Sequence, residues 1–241
     1  MSARQVIPPG ERPPARRPHV VAAQLLGVWV LLLGLLLGIG SLLSRVERGS
    51  TVEQVDAGVP TWLASRRTDA LDAVSGVAAE LGNTTVVLVL AVLASAVAAF
   101  VWRGWRPVAV IAVALVGEVT IFLMTSAVID RQRPPVSHLD DQLPPTSSFP
   151  SGHTAAAICL YGAVAALVLA ATHGRRRYAV VGGAALLVLV VALARLYRGA
   201  HYPTDVLGSV LFALPWLLLV VRLLSPSSPD PGPSARSTRT G

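Results

Sequence analysis

Three short polar clusters contain the residues that can support chemistry in this sequence. They are residues 130–134 (DRQRP), 149–154 (FPSGHT) and 195–205 (RLYRGAHYPTD). Arg133 and Arg195 offer planar, permanently charged guanidinium groups whose paired donors suit phosphate oxygens. Arginine and histidine grouped in this way indicate a site for a ligand that carries a phosphate.

The second cluster has the composition of a helix start that can hold an anion. Unpaired N–H groups and the positive end of the helix dipole attract negative charge at such a position. Gly152 lets the backbone approach a ligand closely, and the hydroxyl group of Ser151 adds a further donor. We therefore expect phosphate oxygens to be bound where this helix begins.

The third cluster places a histidine and an acid at helical spacing. His201 and Asp205 lie four residues apart, and Pro203 suits the first turn of a helix. This spacing can bring the carboxylate to one imidazole nitrogen, which fixes the tautomer and leaves the other nitrogen free to attack. His153, on a different element, can then protonate the leaving oxygen.

Long apolar runs must position these clusters. Of all residues 53% are hydrophobic and only 14% are charged, whereas soluble domains have about 25% charged residues. A helix needs about 20 apolar residues to cross a bilayer. Six runs approach that length, at residues 20–43, 81–102, 107–129, 153–172, 178–194 and 206–221. A path that alternates across the bilayer brings all three clusters to one face.

The placement of arginine predicts the orientation in the membrane. All 20 basic residues are arginine, and they concentrate at alternate ends of the spans. Cytoplasmic loops favour such residues, so both termini are expected in the cytoplasm and the three clusters on the non-cytoplasmic side of the cell membrane. Residues 1–19 and 225–241 are predicted to be disordered cytoplasmic tails that flank one membrane domain, residues 20–224.

The segment 44–80 is too polar to cross the membrane. It contains apolar residues at helical spacing, namely Val52, Val55, Val59, Trp62 and Leu63. One or two amphipathic helices lying in the interface are one interpretation, and an ordinary connecting loop is the other. The sequence thus predicts an all-α fold, a six-transmembrane-helix bundle with an interfacial amphipathic segment between the first two spans.

In their order along the chain, the three clusters resemble the signature of the type 2 phosphatidic acid phosphatase superfamily. That signature runs Lys-x6-Arg-Pro, then Pro-Ser-Gly-His, then Ser-Arg-x5-His-x3-Asp. The matching residues here are Arg133 with Pro134, residues 150–153, and Arg195 with His201 and Asp205. The resemblance covers about residues 20–224, and the six-helix membrane fold that it implies agrees with the spans counted independently.

The resemblance also implies a role for each residue. His201 is expected to be the nucleophile that forms a phosphohistidine, Asp205 to orient it, and His153 to act as general acid for the leaving group. The phosphoryl oxygens are expected to be held by Arg133, Arg195, Ser151 and the Gly152 amide. No metal or other cofactor is expected, because the arginines stabilise the charge.

The sequence departs from that signature at two positions. Ser126 stands where the family has lysine, and Ala194 stands where it has serine. The first change removes a phosphate-binding charge, which we expect Arg131, in the loop after the third span, to supply instead. Glu118 interrupts the third span and lies outside the three clusters. We expect it to pair with another group inside the bundle.

Two functions fit these observations. The leading one is an enzyme that removes phosphate from a membrane lipid phosphate or diphosphate, and phosphatidate, phosphatidylglycerol phosphate and polyprenyl diphosphate all suit it. The alternative is a non-enzymatic protein that binds or transports an anionic lipid headgroup. The His201–Asp205 pair favours the enzyme, because anion binding needs no oriented nucleophile. No protein partner is predicted, and arginines at span ends do not indicate nucleic acid.

Overall fold

Helices account for all the regular secondary structure in the described part of the chain, which comprises residues 17–45, 50–140, 143, 147–175 and 177–225 of this computed structural model. They are α1 (Pro18–Leu43), α2 (Thr51–Ala64), α3 (Asp69–Glu80), α4 (Thr84–Trp102), α5 (Arg106–Val128), α6 (Gly152–Ala171), α7 (Arg177–Tyr197) and α8 (Pro203–Leu224). All except α2 and α3 are long and apolar enough to cross a membrane. The predicted all-α fold with six spans is therefore confirmed.

The ends of the spans differ from the predicted boundaries by a few residues. α1 already begins at Pro18, while residues 1–16 and 226–241, most of the two predicted tails, lie outside the described residues. α4 begins at Thr84 because the side chain of Asn83 caps it, accepting a hydrogen bond from the Thr85 amide at 2.9 Å. Hydropathy alone does not detect such a cap, so the apolar run 81–102 begins three residues before the helix does.

The polar segment between the first two spans folds into two amphipathic helices, α2 and α3. Ser50 caps α2 by accepting from the Glu53 amide at 3.2 Å, and Thr68 caps α3 by accepting from the Leu71 amide at 3.3 Å. Exposed apolar side chains line both helices, namely Val52, Val55, Trp62, Leu71, Val74 and Val77. Such a surface suits a helix that lies in the membrane interface.

α6 lies at the centre of the bundle, where it packs against α4, α5, α7 and α8. Small residues such as Ala155 and Ala163 are completely buried on it, and small residues allow close packing of helices within membranes. The outer helices α2 and α3 rest on α7, and α2 also reaches α8. This arrangement places the end of α5 and the starts of α6 and α8 beside one another.

Candidate active site

The three polar clusters meet at one end of the bundle around a single cavity. The cavity has a volume of about 360 Å³, and its lining includes His153, His201, Arg133 and Arg195. Arg133 follows α5, and His153 is the second residue of α6. Arg195 lies near the end of α7, and His201 lies two residues before α8. Antiparallel packing of successive spans thus brings together residues that are far apart in the sequence.

His201 is held by a backbone carbonyl group. Its side chain is only 4% exposed, and its Nδ1 lies 2.7 Å from the carbonyl oxygen of Ser148. A carbonyl oxygen can only accept, so Nδ1 must carry the proton and Nε2 keeps its lone pair. Burial lowers the pKa of His201, and the Arg195 guanidinium lowers it further, although Asp205 opposes the change. The neutral imidazole is thereby favoured.

Asp205 does not form the hydrogen bond to His201 that the sequence predicts. Its Oδ2 lies 3.7 Å from Nδ1 of His201, which is beyond hydrogen-bond distance. The same oxygen accepts from the Tyr202 amide at 2.8 Å, so the completely buried carboxylate caps the start of α8. Ser148 thus makes the hydrogen bond expected of Asp205, whose negative charge acts on the imidazole from slightly further away.

Arg131 does not line the cavity, contrary to the expectation that it replaces the missing lysine. Its guanidinium group pairs with the carboxylates of Asp205 and, at 2.6 Å, Asp56. It also donates to the Thr204 hydroxyl at 2.8 Å. Two carboxylates already balance its charge, so Arg131 stabilises the position of Asp205 and does not face the cavity. Ser126 is no substitute either, since its hydroxyl points back to the Leu123 carbonyl at 3.2 Å.

Arg133 and Arg195 provide the positive charge inside the cavity. Nη1 of Arg133 donates to the Ala200 carbonyl at 2.8 Å. Burial lowers the pKa of Arg133, and the adjacent Arg195 guanidinium lowers it too. The buried Nε of Arg195 has no hydrogen-bond partner in the described part of the chain. Two neighbouring guanidinium groups, one with an unused donor, make this end of the cavity suitable for a phosphate.

Asp140 holds Arg195 in place, although it belongs to no recognisable sequence motif. Its two carboxylate oxygens accept from Arg195, at 2.7 Å, and from Arg198. Burial acts to raise the pKa of Asp140, but the two guanidinium groups outweigh burial and lower it. A second guanidinium nitrogen of Arg198 donates to the Leu139 carbonyl at 2.6 Å. The loop before α6 is thereby attached to the end of α7.

The start of α6 supplies Gly152 and His153 to the cavity lining. Ser151 is completely buried just before them, and its hydroxyl oxygen lies 3.0 Å from that of Thr154. This side chain therefore stabilises the helix start from within the protein and does not line the cavity, where it was expected to hold phosphate. A Cβ atom at Gly82 would lie 2.8 Å from the His153 carbonyl oxygen. The turn before α4 can therefore pack closely against His153 only because residue 82 is glycine.

The rest of the cavity is apolar and runs into the membrane-spanning part of the bundle. Its walls come from α4, α5 and α6 and include Val87, Leu88, Leu115, Val116, Val119, Phe122 and Ala156. Leu88, Val116 and Val119 are 57%, 60% and 39% exposed on the outside of the bundle. These residues both line the cavity and face the outside, so the cavity adjoins the outer surface of the bundle at α4 and α5.

Glu118 lies in the wall of this cavity rather than in a pair. Its side chain is 3% exposed. Within the described residues, no hydrogen bond or ion pair to its carboxyl group is formed. The expected pairing inside the bundle is therefore not found.

Comparison with known proteins identifies the family. A family model described as the PAP2 superfamily matches residues 80–228, which is more than half of the chain. The chain belongs to the PAP2 superfamily. Phosphatidylglycerophosphatase B of Bacillus subtilis (strain 168) is 32% identical to this PAP2 protein over 97 residues, which are 38% of this chain and 45% of that relative. The alignment thus spans less than half of the relative's length.

Two solved structures share the fold of this PAP2 protein. One is the transmembrane PAP2 type phosphatidylglycerolphosphate phosphatase from Bacillus subtilis, with a TM-score of 0.66 and 23% identity over 82% of this chain and 92% of the other. The second is Aquifex aeolicus LpxE, with a TM-score of 0.53 and 21% identity over 69% of this chain and 94% of the other. These likenesses establish the common helical architecture.

Proposed function

We propose that this PAP2 protein hydrolyses a membrane lipid phosphate through a phosphohistidine on His201. The observation that carries the proposal is the hydrogen bond from Nδ1 of His201 to the Ser148 carbonyl, at 2.7 Å. It leaves Nε2 as the unprotonated ring nitrogen in a cavity that also contains His153 and two arginines. An anion-binding protein has no need for a histidine held in this tautomer.

The reaction proceeds in two displacement steps. In the first, Nε2 of His201 attacks phosphorus, a P–N bond forms, and the P–O bond to the lipid breaks while His153 donates a proton to the departing oxygen. In the second, water attacks phosphorus, His153 takes a proton from that water, and the P–N bond breaks. Arg133 and Arg195 stabilise the phosphoryl oxygens in both transition states.

The substrate is a lipid whose chains occupy the apolar part of the cavity. We infer that such a lipid enters from the bilayer past Leu88, Val116 and Val119, which line the cavity and are also exposed on the bundle surface. The name of the Bacillus subtilis relative, phosphatidylglycerophosphatase B, favours a glycerolipid phosphate over a polyprenyl diphosphate. The arginine distribution supports an orientation with the site at the non-cytoplasmic face.

Phosphate release from a panel of lipids tests this proposal. Purified protein in detergent is given phosphatidate, phosphatidylglycerol phosphate and polyprenyl diphosphate, with and without EDTA. We expect release from at least one lipid, undiminished by EDTA, and inhibition by vanadate, because arginines provide the charge stabilisation. Binding without release, or loss of release on chelation with recovery on adding a divalent ion, would contradict the mechanism.

A further inference from the structure

Glu118 is an acidic residue in the middle of a membrane-spanning helix, α5 (Arg106–Val128). Ionisable groups at such depth are costly and usually have a function. Its side chain is 3% exposed, and no described residue forms a hydrogen bond or ion pair with its carboxyl group. An isolated carboxylate is strongly disfavoured in apolar surroundings. The group is therefore held neutral, and a neutral carboxyl group has one O–H donor to offer.

The position of Glu118 relative to the phosphate site follows from the packing of α5 on α6. Phe122 lies against the start of α6, because a Cβ atom at Gly152 would be 3.0 Å from its ring. Glu118 is one helical turn deeper on the same face of α5, which is about 6 Å at 1.5 Å per residue. Both residues line the cavity that contains His153 and His201. Glu118 therefore faces the part of a bound lipid that comes just after its phosphate.

The chemistry found at that depth differs between the candidate lipids. In a diacylglycerol phosphate, ester carbonyl oxygens lie a few bonds beyond the phosphate and can accept a hydrogen bond. In a polyprenyl phosphate or diphosphate, only hydrocarbon reaches this depth, and it would leave the donor of Glu118 unpaired. An unpaired buried polar group is unfavourable, so the donor of Glu118 suits the first class of lipid better than the second.

We propose that Glu118 donates a hydrogen bond to an ester carbonyl oxygen of a diacylglycerol phosphate bound in the cavity. This inference rests on the proposed lipid phosphatase activity and narrows its substrate to ester-linked glycerolipids. The walls around Glu118 are apolar, including Leu115, Val119 and Ala156. Its carboxyl group is thus the polar feature in this part of the lining that can recognise the ester.

A comparison of diacylglycerol phosphate with its dialkyl ether analogue tests the inference, because the ether lacks only the carbonyl oxygens. We expect the unmodified protein to prefer the diacyl lipid by about threefold to tenfold in kcat/KM, the effect of one hydrogen bond. Glu118→Leu should bring this ratio to about one. Glu118→Gln keeps an N–H donor and should retain part of the preference.

Thr120→Val is the matched control. It also removes a polar group from α5, but Thr120 faces α1, where it accepts from Trp29 Nε1 at 3.0 Å. Its diacyl-to-dialkyl ratio should stay at the value of the unmodified protein. Each ratio is measured within one preparation, so the fraction of folded protein cancels.

The outcomes separate this inference from the proposed function. Hydrolysis of neither lipid by the unmodified protein would refute the lipid phosphatase activity itself. Equal hydrolysis of both lipids, or a preference that Glu118→Leu leaves intact, would refute the role of Glu118 while the activity stands.

Discussion

At the residue scale, the catalytic proposal depends on how His201 is held. The main-chain carbonyl oxygen of Ser148 lies 2.7 Å from Nδ1 of His201 and thereby fixes the tautomer. Asp205 adds negative charge at 3.7 Å without a hydrogen bond. Because the two contributions come from different groups, they can be separated by changing Asp205 alone.

The pH dependence of kcat/KM in Asp205→Asn should reveal the contribution of the Asp205 charge. Burial lowers the pKa of His201 and the Asp205 carboxylate raises it, so removing that carboxylate should lower the pKa further. Protonation inactivates the nucleophile, and the acidic limb should therefore lie below the usual histidine value of about 6.5. In Asp205→Asn it should shift to still lower pH, with a reduced maximal rate.

Ionisation of the substrate phosphate is controlled for by using one lipid with both proteins, so that only the shift between the two profiles is interpreted. A shift of the acidic limb to higher pH in Asp205→Asn would contradict this electrostatic account.

Arg131 should act through Asp205 rather than through phosphate. Because its guanidinium pairs with Asp205 and Asp56, Arg131→Ala should lower kcat about tenfold to a hundredfold and leave KM almost unchanged, which corresponds to about 1.5–3 kcal/mol for a charged hydrogen bond. Adding Ser126→Lys should not restore the rate. Rescue by that lysine, or a raised KM with an intact kcat, would show instead that Arg131 binds the substrate.

At the scale of elements, the amphipathic helix α2 is attached to the start of α8 through one buried acid. Asp56 is 2% exposed and accepts from Arg131 at 2.6 Å and from the Thr204 amide at 3.0 Å. Replacing one partner of a buried ion pair leaves an uncompensated charge and typically costs about 3–5 kcal/mol. α2, which also carries exposed apolar side chains, thus supports the site.

Asp56→Ala should therefore reduce both stability and turnover. We expect a lower midpoint of thermal unfolding in detergent and a lower kcat, since Arg131 and Thr204 lose a shared acceptor. Asp69→Asn, an exposed acid at the start of α3, serves as the control and should leave both quantities almost unchanged. An Asp56→Ala protein with normal stability and normal kcat would show that α2 does not support the site.

The elements were largely predictable from the sequence, whereas several contacts within the site were not. Apolar runs and arginine-rich ends follow directly from the bilayer, so the six spans were found to within a few residues. The contacts of Asp56 with Arg131 and of Asp140 with Arg195 were not predictable, because both acids lie in segments without a chemical motif. One signal was present, since Asp56 falls on the apolar stripe of α2 between Val52 and Val59.

At the scale of the whole molecule, the orientation of the bundle decides from which side of the membrane the cavity is reached. The sequence predicts that the catalytic end faces away from the cytoplasm. In a Cys159→Ser background, an impermeant thiol reagent should label a cysteine at Ser137, beside the catalytic end, in intact cells. It should label one at Arg175, in the loop between α6 and α7, only after the cells are opened. The reverse pattern would invert the orientation.

The central claim, a phosphohistidine on His201, is tested most directly by trapping the intermediate. Purified protein is mixed with a lipid carrying radiolabelled phosphate, denatured within the first turnovers, and examined for label on the protein. We expect label that is stable to alkali and lost in acid, present in the unmodified protein and absent from His201→Ala, which should also lack turnover. A labelled His201→Ala protein, or one that retains ordinary turnover, would contradict the claim.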